Sequence, residues 1–369
     1  MKHHKKTKKI NSSIKTNTSI DKTDTSIKKT ENNDIFLPKN TNFANELGNS
    51  VTKIFSGLDI AVKNILNLEN QFSFSIKYIL LDAAQHFLLQ KCLKVIRFQF
   101  KAEFHEIDLI PDLGNVSEYT FCVTFLKRQR CFEELENVSC RLLSNEYIVG
   151  INEYTGEIIK TNLIETPNLL ISGTAFSGKS TFLHNIISSF VDKKPDNVAF
   201  ILIDTKQVEF SRYKAKKYEG HVCKCIATDI DTATAVLVAL CNFIDERYAE
   251  MAANGDTIYK GTKQVLIIDE FADLIMRGNK YIEELIIKIA QLGQAAGVHL
   301  ILSTQRPSIS VCTGLIKANF PCRIAFQCAT KADSRVILDQ NGAETLRGRG
   351  EALFKNPEGN IFRIQCLKA

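Results

Sequence analysis

Residues 167–190, PNLLISGTAFSGKSTFLHNIISSF, constrain this chain more than any other stretch. The short apolar run at 169–172 reads as a buried strand. Gly173, four variable residues (Thr174, Ala175, Phe176, Ser177) and then Gly178-Lys179-Ser180 satisfy G-x4-G-K-[ST], and an amphipathic segment follows from Thr181. Strand, glycine-bounded loop and helix, in that order, form the context in which the pattern is a phosphate-binding loop. The chemistry requires these residue types. Gly173 and Gly178 let the backbone curl so that loop N–H groups face phosphate oxygens. The new helix adds its positive N-terminal end. Lys179 has the reach for β- and γ-phosphates, and the Ser180 hydroxyl is a ligand for Mg²⁺. A glycine-rich structural turn is the bland alternative, and the flanks argue against it.

Beyond that loop, apolar runs alternate with amphipathic ones. Strands are expected at 199–203, 224–227, 265–268, 299–302, 323–327, 351–354 and 361–366, with a long helix capped by Asp231 between the second and third of these. Buried strands interleaved with helices indicate an α/β fold with a mostly parallel sheet covered on both faces. The strand at 265–268 runs directly into Asp269-Glu270. Two carboxylates thereby arrive at the carboxyl end of a strand, where such sheets bind ligands. Asp269 is placed to hold Mg²⁺ with Ser180, and Glu270 to polarise an attacking water. Gln305 ends the neighbouring run HLILSTQ and is a candidate γ-phosphate sensor, weighed against a plain polar loop. Arg306, Arg323, Arg335, Arg347 and Arg349 are scattered through the last segment, and most surface arginines are solvated or paired.

Charge is unevenly placed. Residues 1–40 carry ten lysines against four carboxylates, so the whole +6 excess lies there and the remainder is balanced. That Lys/Thr/Ser/Asn/Ile segment has too little apolar surface to order itself, and a disordered basic tail over 1–45 is expected. It can solubilise the chain or touch nucleic acid or an anionic membrane surface. Residues 46–144 are read as a small helical and α/β module. Its expected parts are a mostly helical 51–104 with an amphipathic helix around 76–92, a strand at 119–125, a helix at 132–143 and a strand at 147–151. Residues 145–369 form the nucleotide domain. The eleven cysteines lack CxxC pairs, so reduced thiols in a cytosol are expected. His221-Val222-Cys223-Lys224-Cys225 reads more simply as one face of a strand than as a metal site. With no run of about 18 apolar residues, nothing in the sequence spans a membrane as a helix. Arg212–Lys217 (RYKAKK) is a candidate phosphate grip or a solvated loop.

The wording at 265–274 (VLIIDEFADL), 295–326 (AAGVHLILSTQRPSISVCTGLIKANFPCRIAF) and 333–350 (DSRVILDQNGAETLRGRG) closely resembles the motor domain of the FtsK/SpoIIIE family of DNA translocases. FILIDTK at 200–206 and the phosphate loop fit the same pattern, so the resemblance covers about residues 145–369. It implies a RecA-like P-loop NTPase fold, ATP and Mg²⁺ as the nucleotide and metal, and hexameric rings moving along double-stranded DNA. It implies that Gly173, Gly178, Lys179 and Ser180 form the phosphate loop, and that Asp269 and Glu270 form the second nucleotide motif. Gln305 falls in the sensor stretch. Arg323 and Arg335 fall in stretches that carry basic residues toward the neighbouring subunit's nucleotide.

The chain departs from the family at Phe176, where a small residue is usual, and at Thr205, where proline is common. With no membrane anchor or winged-helix domain within its 369 residues, a compact bacterial motor of a mobile element is expected. It would be cytoplasmic, serving DNA transfer, segregation or conjugation, with a membrane or channel partner reachable through the N-terminal region. The alternative is a coupling ATPase at a secretion channel that handles protein or a protein–DNA complex.

Overall fold

The computed structural model describes residues 41–369 apart from 71, 82–84, 86–87, 101–102, 112–119, 128–141, 143–145, 164–165, 192–197, 216–217, 219–225 and 368–369. Residues 1–40, nearly all of the expected helix at 132–143, and the His221–Cys225 cluster lie outside the described residues.

Two sheets organise the chain. In the first, β1 (Val62–Glu69), β2 (Ser73–Leu80), β3 (Phe104–Pro111) and β4 (Thr120–Lys127) pair antiparallel in the order β1-β2-β4-β3. Two helices, α1 (Thr41–Gly57) and α2 (Leu89–Phe100), close one face over a core that includes Val51, Phe55, Ile76, Tyr78, Ile96 and Phe125. This corrects the mostly helical reading of 51–104. Phe74, Ile76, Tyr78 and Leu80 are all buried, an alternation of period two that makes a strand, and the helix starts only at Leu89. Helix α1 also begins at Thr41, inside the stretch expected to be tail.

The second sheet has nine strands in the order β6-β5-β13-β12-β11-β7-β10-β9-β8. Five of them, β11 (Cys322–Phe326), β7 (Asn168–Ser172), β10 (Val298–Thr304), β9 (Lys263–Asp269) and β8 (Val198–Asp204), are mutually parallel. Their order in space places the first in sequence, β7, between the fourth and the fifth. The sheet continues antiparallel through β12 (Glu351–Lys355), β13 (Ile361–Gln365), β5 (Glu146–Asn152) and β6 (Ile158–Asn162). The 145–369 stretch thus contributes a parallel half, where the nucleotide motifs sit, and an antiparallel half.

Alternation along each strand feeds two cores. From β7, Leu169 and Ile171 join Phe182, Ile186 and Phe190 of α3 (Lys179–Val191) on one face, while Leu170 faces the other. That second face is covered by α4 (Ile230–Asn254) and α5 (Phe271–Leu292), through residues such as Leu240, Ile244, Leu274 and Ile286. The cap of α4 is Asp229 rather than the expected Asp231: Asp229 and Thr232 form a reciprocal capping box, and Asp231 lies in the first turn. Gly255, at φ 70°, ends the helix in the left-handed conformation. On α4, Arg247 is buried over the Phe243 and Tyr259 rings and donates to the carbonyls of Ala296 and Thr262. The expected strand at 224–227 is reduced, among the described residues, to a single bridge between Ile203 and Ala227. Cys92, Cys241, Cys312, Cys322, Cys328 and Cys366 are buried free thiols.

Where the two sheets meet, charge is buried. Arg363 of β13 pairs with Glu106 of β3, Glu153 and Glu351, and Arg347 pairs with Glu153 and Glu351. Arg347 also donates to the Lys127 carbonyl at 3.1 Å, and the Tyr154 hydroxyl to Asp108 at 2.8 Å.

Candidate functional site

The phosphate loop leaves the carboxyl end of β7 between the ends of β10 and β11. Gly173 N–H donates to the Thr304 carbonyl and Thr174 N–H to the Gln327 carbonyl, at 3.2 and 2.9 Å, which seats the loop on both neighbours. Both of its glycines are required by space, and Gly178 by φ as well. A Cβ at Gly173 would lie 2.6 Å from both Phe326 Cβ and Ser177 Oγ. At Gly178, where φ is 115°, it would lie 2.5 Å from the Gly350 nitrogen. Gly350 N–H in turn donates to the Ser177 carbonyl at 2.7 Å, so the 347–351 segment buttresses the loop from outside. Phe176 stands at the loop's tip with φ 60° and is 97% exposed.

The loop walls a cavity of about 1070 Å³. Thr174, Ala175, Phe176, Gly178, Lys179, Ser180 and Thr181 line one side, and Glu209, Gln305, Arg349, Gly350, Cys366 and Leu367 the rest. Ser177 is buried behind it. Lys179 Nζ lies 2.6 Å from Asp269 Oδ1 and donates to Ser303 Oγ at 2.8 Å, and Ser303 donates to the same carboxylate oxygen at 3.1 Å. The register explains this closeness. Ile268 is opposite Leu302 across β9 and β10, and Ser303 opposite Ile171 across β10 and β7, so Asp269 and Ser303 end adjacent strands beside the loop.

Glu270 follows Asp269 in a left-handed conformation, φ 56° and ψ 57°, at the N-cap of α5. That backbone state is uncommon for a non-glycine residue and clusters at functional sites. Its carboxylate accepts from Thr304 Oγ1 at 2.7 Å, from Lys206 Nζ at 2.9 Å and from the Gln305 N–H at 3.2 Å. Burial raises the Glu270 carboxyl, but the Thr304 and Lys206 bonds, the Lys206 charge and the Gln305 N–H outweigh it, so its pKa falls below the usual value. Glu270 is therefore held ionised and oriented.

Ser180 Oγ donates to Glu209 Oε1 at 2.7 Å. Glu209, Ser303, Thr304, Lys206 and Arg349 were not singled out as site residues by the sequence reading. A signal for Glu209 existed: Asp204 ends β8, and an aspartate followed by a short polar run is a side-chain-capped turn. The structure brings Lys179, Ser180 and Gln305 to one cavity, with Asp269 and Glu270 buried behind it and bonded to Lys179 and to the Gln305 N–H. It does not bring Arg323 there. Arg323 is the second residue of β11, at the end away from the loop, and donates to the carbonyls of Phe320, Lys317 and Ile337 and to Asp339, which ties α6 (Gly314–Asn319) to α7 (Lys331–Leu338). This corrects the expectation that its guanidinium is presented to a neighbour. Arg335 is exposed on α7, outside the cavity lining. Of RYKAKK, Arg212 and Lys214 are exposed on either side of the buried Tyr213.

A glycine-bounded loop at the carboxyl end of β7, with a carboxylate delivered two strands away across β10, makes this a P-loop ATPase of RecA-like build. Residues 144–265 and 258–309 match the FtsK/SpoIIIE family. The chain carries an FtsK/SpoIIIE-type motor domain. It is 39% identical over 249 residues to "DNA translocase FtsK" of Leptospira interrogans, covering 62% of this chain and 26% of that protein. It is 42% identical over 238 residues to "DNA translocase FtsK 2" of Neisseria meningitidis, covering 56% and 23%. The chain thus spans about a quarter of the length of these relatives. In fold it is similar to the pCW3 conjugation coupling protein TcpA, with TM-score 0.60, 20% identity, and coverage of 88% of this chain and 95% of that one. It is also similar to the Type VII secretion ATPase EccC of Thermomonospora curvata, with TM-score 0.53, 18% identity, and coverage of 64% and 32%.

Proposed function

We propose that the chain is an ATP-driven translocase of double-stranded DNA that works as a homo-oligomer, a hexameric ring. The observation that carries the hydrolytic part is that two residues lining the cavity, Lys179 at the start of α3 and Gln305 after β10, are bonded directly to Asp269 and Glu270 at the end of β9. The choice of DNA is supported by the relatives named as DNA translocases. In this reading the N–H groups from Gly178 to Thr181 and the Lys179 ammonium bind the phosphates, within a loop, Thr174 to Thr181, that the Thr174 N–H anchors on Gln327. Glu270, ionised and fixed by Thr304 and Lys206, accepts a proton from the attacking water. Gln305, whose N–H is bonded to Glu270, couples the γ-phosphate to the 305–313 loop. The Ser180 hydroxyl and the Asp269 carboxylate are hard oxygen donors and fit Mg²⁺. When bound there, Mg²⁺ would neutralise charge developing between the β- and γ-phosphates. Arg335, exposed on α7, remains the candidate to reach a neighbouring subunit.

The reading extends to a mobile-element role in DNA transfer, segregation or conjugation, which the fold likeness to a conjugation coupling protein accompanies. Among the described residues no helix is long and apolar enough to cross a membrane. The reading puts the motor in the bacterial cytoplasm, meeting a membrane or channel through a partner of the N-terminal region. Non-specific grip on duplex phosphates by exposed basic residues would make binding salt-dependent and indifferent to sequence. A secretion-channel coupling ATPase would use the same nucleotide residues. ATP turnover with and without long duplex DNA, at low and moderate salt, separates the two. Stimulation that grows with duplex length is expected for the translocase, and turnover indifferent to DNA would overturn it in favour of protein coupling.

A further inference from the structure

Glu209 lies outside both nucleotide motifs, yet it is built into the phosphate loop's hydrogen bonding. Asp204, the last residue of β8, accepts the N–H groups of Lys206, Glu209 and Phe210 at 3.2, 2.9 and 3.0 Å. This closes the 204–210 turn and brings Glu209 to the cavity wall. In front, Oε1 accepts the Ser180 hydroxyl at 2.7 Å. Behind, His184 Nε2 lies 3.6 Å from Oε2, and His184 Nδ1 is 2.8 Å from the Tyr213 hydroxyl. His184 stands four residues after Ser180 on α3, so helix and turn together clamp the carboxylate.

A serine hydroxyl has one proton and two lone pairs. With the proton committed to Glu209, Ser180 Oγ is left as an acceptor-only oxygen, which is what a hard divalent cation arriving with a triphosphate requires. The carboxylate, one hydroxyl away, also makes that oxygen more electron-rich, as outer partners of metal ligands do. We propose that Glu209 is a positioning residue for the divalent cation of the nucleotide site, acting through Ser180. The inference rests on the phosphate-loop reading above.

Binding separates the two claims. Mn²⁺ affinity of the full chain in the presence of a non-hydrolysable ATP analogue is read by electron paramagnetic resonance, and binding of a fluorescent nucleotide in EDTA by anisotropy. Glu209→Ala is expected to weaken Mn²⁺ binding by about ten- to a hundredfold while leaving nucleotide binding in EDTA within about twofold. Glu209→Gln, which keeps an acceptor for the hydroxyl but not the charge, is expected to lose severalfold. Equal loss of both affinities, or Mn²⁺ affinity within about twofold of the unsubstituted chain, would overturn the proposal. Should Glu209→Ala fail to fold, the isosteric Glu209→Gln decides by the same criterion. An unsubstituted chain that takes up no Mn²⁺–nucleotide at all would overturn the phosphate-loop reading and this proposal with it.

Discussion

Lys179 and Asp269 are 2.6 Å apart with each side chain only 3% exposed, a buried ion pair joining the start of α3 to the end of β9. Removing one partner of such a pair leaves an uncompensated charge in the interior, which costs about 3–5 kcal/mol. Lys179→Met is therefore expected to lose both nucleotide binding and stability. Lys179→Met with Asp269→Asn should regain part of the stability and none of the binding, as read by denaturant melts and nucleotide titration. Additive losses in the double variant would contradict the pairing.

Glu270 is expected to matter for turnover more than for binding. Its strained backbone and the bonds from Thr304 and Lys206 fix the carboxylate beneath Gln305, which lines the cavity. Glu270→Gln keeps the shape and removes the base. Single-turnover hydrolysis should fall by about 10²–10⁴-fold, with ATP still bound. Hydrolysis at the unsubstituted rate would remove Glu270 from the mechanism.

Arg323 should behave as a structural residue. Its guanidinium is spent on three carbonyls and Asp339. Arg323→Ala is expected to cost about 2–3 kcal/mol in thermal or denaturant unfolding, the scale of lost charge-assisted bonds. Mixing it with Lys179→Met chains should restore no hydrolysis that Arg323→Lys does not also keep. Restoration by mixing alone would return Arg323 to the neighbour's site.

The buried charges between the two sheets predict a pH effect. Burial and the Glu351 charge push the Glu153 carboxyl up to about 8, against the pull of Arg347 and Arg363. The folded chain then holds this proton between the ordinary value of 4.5 and about 8, where the unfolded chain has released it. Stability from this group is greatest at the acid end of that window and declines as pH rises through it. Glu153→Gln cannot lose a proton, so its melting temperature relative to the unsubstituted chain should climb from acid pH toward pH 8. A constant difference would show that Glu153 is ionised throughout.

Much of the site was legible because its signals are local. A glycine loop must follow a strand and open a helix, and 265–268 could only be a buried strand delivering Asp269-Glu270. What stayed hidden depends on tertiary placement. Glu209 reaches Ser180 only because the Asp204-capped turn brings β8's exit over α3, and no spacing rule links residues 180 and 209. Arg323 looks like any arginine near a strand until α6 and α7 present their terminal carbonyls to it. In the first sheet the three-and-four spacing around Ile76 and Leu80 mimicked a helix, although Phe74, Ile76, Tyr78 and Leu80 alternate. The antiparallel half of the large sheet was hidden for another reason: strand direction is set by pairing, and β5, β12 and β13 read as apolar runs either way.

The central claim is that hydrolysis at the Lys179–Asp269–Glu270 site drives movement along duplex DNA. The most direct measurement is displacement of a labelled third strand from a long duplex, placed far from the end where the protein loads. ATP-dependent displacement that lags in proportion to that distance, and that Glu270→Gln abolishes, is the predicted result. Vigorous ATP hydrolysis with no displacement at any distance would contradict it.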